Sequence, residues 1–267
     1  MKTFTYYWFF VILFLFLVFF IVYLNQTEGY FIFSEPKMKK TYVSFRFDDG
    51  LKSQIKALKI LEENNLTASL YVITSKLNSS SDWEKEYFLS LEEIKNLSER
   101  FEIGSHTRNH LNLLYLNENS LEEEIIGSKE DLSKFGIKAT TFVYPGGNYN
   151  YKVIKIVEEN YDCASTQDVG VNSIPIRPHL LKDFTFRKKN TNETIRRVIK
   201  EGSWNILTFH DIGEIEIDGM PPLFKKVASS NSVNEDLFKE IVKYIKENNI
   251  EVITIGEGCR RFKNEKK

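Results

Sequence analysis

The chain has 267 residues and a formal net charge of -1 at pH 7, with 42% hydrophobic and 27% charged residues. That is enough for one large domain or two small ones, and the near-neutral charge gives no case for nucleic acid, which needs a basic face. Cys163 and Cys259 are the only cysteines, too few for a disulfide framework. They lie far apart in sequence and are read as two buried small apolar side chains in preference to one bridge.

Tyr6 to Leu24 carries no charge and is dominated by Phe, Leu, Val and Ile. A run of that length can cross a bilayer as a helix, and Tyr6, Tyr7, Trp8 and Tyr23 sit near its ends as interface aromatics do. The sequel Asn25-Gln26-Thr27-Glu28-Gly29 offers no small-residue cleavage site, so an uncleaved anchor is preferred to a signal peptide. Residues 1–24 are therefore read as a membrane anchor, 25–40 as a polar tether and 41–267 as an extracytoplasmic domain. Cleavage would make that domain secreted.

Tyr42–Phe47 reads as a strand and Gln54–Asn64 as a helix, with Ile55, Leu58 and Leu61 at helical spacing. Ser69–Ile73 is a second strand, and the polar stretch Thr74–Lys85 a surface loop. Ser90 with Glu93, and Ser120 with Glu123, have capping-box spacing. The helix from Ser120 runs to Phe135 and stops at Gly136. Phe101–Ser105, Thr140–Tyr144 and Asp162–Thr166 read as strands, and Val153–Glu159 as a helix. Ile174–Asp183 reads as irregular and Phe184–Arg187 as a short strand. Thr191–Glu201 is a polar helix, Trp204–Phe209 a strand, Asp236–Glu247 a helix and Glu251–Ile255 the last strand.

Strands alternating with helices imply a mostly parallel sheet with right-handed crossovers, and seven or eight such units imply a closed barrel. Asp48, Asp49, His106, Pro145, Asp168 and His210 all fall at or after the C-terminal ends of expected strands, where barrel enzymes keep their chemistry.

Alone, Asp48-Asp49-Gly50 is an ordinary turn. Alone, histidines four apart are surface polar residues. Together they have another reading. His106 and His110, four apart on a helical turn, would share a face. One carboxylate of the Asp pair would complete a two-His, one-carboxylate set with positions left open for water and substrate. The other carboxylate suits a general base, and His210 a general acid. Tyr144-Pro145-Gly146-Gly147 can bring a backbone N–H to a developing oxyanion, since glycine permits close approach.

Phe47-Asp48-Asp49-Gly50, Ser105-His106-Thr107 with His110, Tyr144-Pro145 with Gly147, and a strand ending in His210-Asp211 resemble the polysaccharide deacetylases, the NodB-homology domains of carbohydrate esterase family 4. The pattern covers roughly residues 42–255. The resemblance implies a distorted (β/α) barrel of seven or eight units. It implies removal of N-acetyl, in some members O-acetyl, groups from an acetylated polysaccharide of the envelope or extracellular space. It implies a divalent metal, Zn²⁺ first, with Co²⁺, Ni²⁺ or Mn²⁺ as alternatives, held by Asp49, His106 and His110. Asp48 would be the base, His210 the acid, and Asp168 the carboxylate that orients His210. Tyr144, Pro145, Gly146 and Gly147 would meet substrate and oxyanion. The chain departs from the family where an arginine near the proline motif positions the base: Val143 and Tyr144 stand there, and Arg187 is the substitute considered. Thr208 replaces an apolar residue two before the last histidine. A glycan-binding domain without turnover, and a hydrolase of other C–N bonds, are the competing readings.

Overall fold

The computed structural model describes residues 37–189 and 192–263. The expected anchor and most of the tether lie outside these residues, and no described helix is long and apolar enough to cross a membrane.

Tyr42–Phe47 (β1) is buried on both faces, with Val43, Phe45 and Phe47 on one and Tyr42, Ser44 and Arg46 on the other, as in a strand covered on both sides. The chain then alternates: Ile55–Glu63 (α1), Ser69–Val72 (β2), Asp82–Tyr87 (α2), Leu91–Ser98 (α3), Glu102–Ser105 (β3), Glu118–Lys134 (α4), Thr141–Val143 (β4), Tyr151–Asn160 (α5), Cys163–Val169 (β5) and Leu181–Thr185 (β6). Asn192–Val198 (α6), Trp204–Phe209 (β7), Pro222–Asn231 (α7), Glu235–Glu247 (α8), Glu251–Val252 (β8) and Ile255–Phe262 (α9) complete it. All pairings between these strands are parallel.

The strands close in the order β1 to β7, and β1 is the seam. One edge of β1 pairs along its whole length with β7. The other edge is shared: Tyr42 and Val43 face Glu251 and Val252 of β8, while Arg46 and Phe47 face Ser69 and Leu70 of β2. Among the described residues this is a seven-stranded barrel, with β8 wedged into the seam at its N-terminal end.

Phe45, Phe47, Phe186, Phe209 and Phe238 pack between barrel and helices, with Phe186 stacked on Phe209 at 5.1 Å. The floor, at the strands' N-terminal ends, is a second apolar cluster that includes Met38, Trp204, Ile255 and Phe262. Here α9, which the sequence reading did not anticipate, folds beneath the barrel. Its Gly258 lies so close to Trp204 that a Cβ there would stand 2.4 Å from the indole. That approach brings Cys259 to the first residue of β5, and Cys163–Cys259 is a disulfide with a Cα–Cα distance of 6.4 Å. The reading of two unpaired cysteines is corrected. Their separation of 96 residues is bridged by a helix that the sequence pattern did not reveal.

The Ser90 capping box forms as expected, with Ser90 Oγ accepting from Glu93 N and Glu93 accepting from Ser90 N. Elsewhere boundaries move. Asn117, not Ser120, caps α4 by accepting from Ser120 N. The stretch expected as a loop up to Lys85 contains the start of α2. β6 begins at Leu181 inside the segment read as irregular, which turns Asp183 into an interior strand residue. The helix α7, in the connection after β7, was also missed.

Candidate active site

β1 places Arg46 and Asp48 two residues apart, on the same face of a strand, pointing into the barrel. The guanidinium clamps the carboxylate with two hydrogen bonds, Nε to Oδ1 at 2.8 Å and Nη2 to Oδ2 at 2.5 Å. Both side chains are fully buried. Burial pushes the Asp48 carboxyl up, but the adjacent guanidinium outweighs it and brings the pKa down to about 2. Asp48 is therefore held as a carboxylate, the form a general base needs.

Asp49 follows with a φ of 72°, in the left-handed region. That twist turns its side chain away from Asp48, toward two imidazoles. Its Oδ1 lies 3.4 Å from His106 Nε2 and 3.7 Å from His110 Nε2. One ligand atom from each of the three residues falls within 4.8 Å of the others. The histidines meet without a helix. Thr107 and His110 both have positive φ, at 66° and 60°, and a tight turn folds one ring against the other with centroids 4.7 Å apart. This corrects the expected helical turn. Thr107 Oγ1 accepts from His110 N, and the buried Glu124 of α4 accepts from Asn109 N and Nδ2. Strain at the turn is thus held by bonds to its neighbour.

His106 Nδ1 lies 2.9 Å from the Val143 carbonyl, so that nitrogen carries the proton and donates. Its Nε2 lone pair is left facing Asp49, the orientation metal-binding imidazoles take. Burial, with His110 beside it, pushes the His106 pKa down to about 4, which keeps the ring neutral. Asp49 Oδ1 is a buried carboxylate oxygen with no hydrogen-bond partner. Two lone pairs of neutral imidazole and an orphaned anionic oxygen, converging on one point, fit a divalent cation.

His210 ends β7 beside the same mouth. Gln54 Nε2 ties the two strand ends together by donating to Asp48 O at 2.5 Å and His210 O at 3.2 Å. His210 Nδ1 is buried without a hydrogen-bond partner. Asp168 does not reach it: β5 runs on past the mouth, Asp168 is exposed on the rim, and its Oδ2 accepts from Tyr149 at 2.7 Å. Nor does Asp211, which accepts from Tyr87 at 2.7 Å and Ser53 at 2.8 Å. Burial raises the Asp211 pKa to about 6.

In the proline turn, Gly146 and Gly147 have positive φ, and a Cβ on Gly147 would stand 2.8 Å from Gln167. Only glycine fits that contact. Tyr144 is turned the other way, fully buried with its hydroxyl on the His179 carbonyl at 3.1 Å. Of this motif, the backbone at the exposed Gly146 and half-buried Gly147 remains for a substrate, while Tyr144 and Pro145 are both buried.

Two residues were missed. Arg46, not the exposed Arg187, holds Asp48; its signal was a lone cation inside an otherwise uncharged strand, two before an acid. Asp183 lay hidden in a segment read as irregular.

The fold and site define a (β/α) barrel with an Asp-His-His cluster capable of holding a metal at its C-terminal mouth. The family model described as polysaccharide deacetylase matches residues 35–161. A Bacillus cereus protein named peptidoglycan-N-acetylglucosamine deacetylase is 27% identical over 136 residues, 50% of this chain and 59% of its own length. The crystal structure of a polysaccharide deacetylase from Bacillus cereus is 28% identical with a TM-score of 0.51, covering 58% of this chain and 50% of that one. These matches thus span between half and three-fifths of the relatives' own lengths. A family 4 acetyl xylan esterase from Clostridium thermocellum, 17% identical with a TM-score of 0.54, shares the fold over 81% of this chain and 89% of its own. The relatives named deacetylases are hydrolases of non-peptide C–N bonds.

Proposed function

We propose that this chain is a metal-dependent hydrolase that removes N-acetyl groups from a cell-envelope or extracellular polysaccharide. The observation that carries the reading is Asp48, a buried and clamped carboxylate, adjoining the convergent Asp49, His106 and His110. The interior also carries Asp183, so three carboxylates stand against the one guanidinium of Arg46, and a divalent cation offsets the excess. Zn²⁺ suits the donor set best, with Co²⁺, Ni²⁺ or Mn²⁺ as alternatives.

Bound there, such an ion supplies Lewis acidity toward an acetyl carbonyl and toward water. Asp48 takes a proton from the water that attacks the carbonyl carbon. The Gly146 amide donates to the oxyanion. His210 then gives a proton to the leaving nitrogen, the C–N bond breaks, and acetate and a free amine result. A role for Arg46 in fixing the base removes the reason for a binding-only reading, which rested on the missing motif arginine.

The apolar run 6–24 supports membrane anchoring with the domain outside the cytoplasm. The Cys163–Cys259 bridge supports an oxidising compartment. The test is acetate release from N-acetylated chito-oligomers and peptidoglycan by the metal-loaded full chain. Release by wild type, lost in Asp48→Asn with metal still bound, is the expected result. Equal release by the two proteins would sink the assignment of the base.

A further inference from the structure

The barrel interior contains a second carboxylate that the reaction above does not use. Asp183, on β6, is fully buried. Its Oδ2 accepts from Arg46 Nη1 at 3.3 Å and from Thr185 Oγ1 at 3.2 Å, while Oδ1 has no hydrogen-bond partner. Arg46 divides its donors cleanly. Nε and Nη2 go to Asp48; Nη1 goes to Ser165 Oγ at 2.9 Å, the Thr166 carbonyl at 2.8 Å and Asp183. A guanidinium is planar, so fixing Nη1 fixes the plane and therefore the angle at which the other edge meets Asp48.

We propose that Asp183 is a positioning residue. It completes a buried Asp183–Arg46–Asp48 relay in which β6 and β5 set the orientation of the base through an arginine supplied by the base's own strand. Ser165 and Thr166 contribute two neutral contacts; Asp183 contributes the only charged one on that edge. The arrangement explains why a carboxylate is kept in the dry interior, where burial raises its pKa despite Arg46. It also explains how a chain without the family's motif arginine still holds Asp48 rigidly.

This inference rests on the deacetylase reading for its kinetic arm only. Asp183→Ala is expected to lower kcat for acetate release about 10- to 100-fold, the cost of a misplaced catalytic group, with KM and metal affinity within about twofold. Asp183→Asn, whose amide oxygen still accepts from Nη1, recovers most of that loss. In an Arg46→Lys background, Asp183→Ala costs nothing further, because its effect passes through the guanidinium. Unchanged kcat, a loss in KM alone, or independent additive losses would each overturn the relay. A readout without turnover separates this from failure of the deacetylase reading. In ¹⁵N-arginine spectra of the full chain in detergent, Arg46, identified by its absence from Arg46→Lys, shows separate Nη signals that average in Asp183→Ala; identical spectra refute the proposal. Should Asp183→Ala not fold, Thr185→Val, which removes the hydroxyl donated to Asp183, gives the same pattern at about threefold in kcat, and an unchanged kcat there also refutes it.

Discussion

The mouth and the floor of this barrel are built from the same strands on opposite principles. At the floor, polar groups are matched. Glu102 accepts from Ser69, Thr141 and the amide of Gly256, capping α9, and Trp204 donates to Ser44, which donates to the Ile253 carbonyl. Toward the mouth the reverse holds. Among the described residues, the buried side-chain atoms without partners are Asp49 Oδ1, Asp183 Oδ1, Thr208 Oγ1 and His210 Nδ1, on or just after β1, β6 and β7. Positive φ at Asp49, Thr107 and His110 adds strain there. The other non-glycine cases, Asn65 and Asn249, follow helix ends, where asparagine tolerates it. A satisfied, stapled floor offsets an unsatisfied mouth, where Asp49 Oδ1 and His210 Nδ1 are left to act on something else.

Changes at the mouth should therefore alter chemistry, and changes at the floor stability. The largest effect is expected from Asp48→Asn, about 10³-fold in acetate release from a protein that still folds and binds the ion, since general-base removal costs 10²- to 10⁴-fold. Loss of the fold or of the ion in this variant would erase the distinction. Chelation should likewise abolish release, with divalent ion restoring it. His106→Ala should weaken binding of that ion by at least tenfold in calorimetry.

Acid pH tests the mouth by stability. His106 has a folded pKa of about 4 against 6.5 unfolded, so the unfolded chain binds its proton first and stability is lost as pH falls from 6.5 to 4. Asp211 has a folded pKa of about 6 against 3.8, so stability is gained as pH falls from 6 to 4. Each amounts to about 3 kcal/mol at most, with opposite sign. Urea unfolding of the metal-free protein should therefore change little across this window, while Asp211→Asn loses stability toward pH 4. Parallel curves for the two proteins would show that Asp211 does not titrate as described.

At the floor, Cys163→Ser with Cys259→Ser should cost about 2–4 kcal/mol of unfolding free energy, with kcat within about twofold. A large fall in kcat would couple floor to mouth. Smallest of all, Asp168→Asn should change kcat by less than about threefold, because its exposed carboxylate serves the half-buried Tyr149 and not His210. A hundredfold loss would restore it as the partner of His210.

The sequence by itself determined the alternation of strands and helices, the mouth at the strand ends and the grouping of Asp48, Asp49, His106, His110 and His210. These are local signals: period, capping residues and motif spacing report a residue's near neighbours. Only the tertiary structure decided that Arg46 holds Asp48, that Asp183 stands behind it, that Asp168 turns to Tyr149 and that Cys163 meets Cys259. Each of these depends on which interior face a side chain occupies and which distant strand or helix lies opposite. A shift of one residue in a strand reverses that face. The start of β6 at Leu181 put Asp183 inside, and the fold of α9 under the floor brought the cysteines together. Neither leaves a periodic trace in the chain.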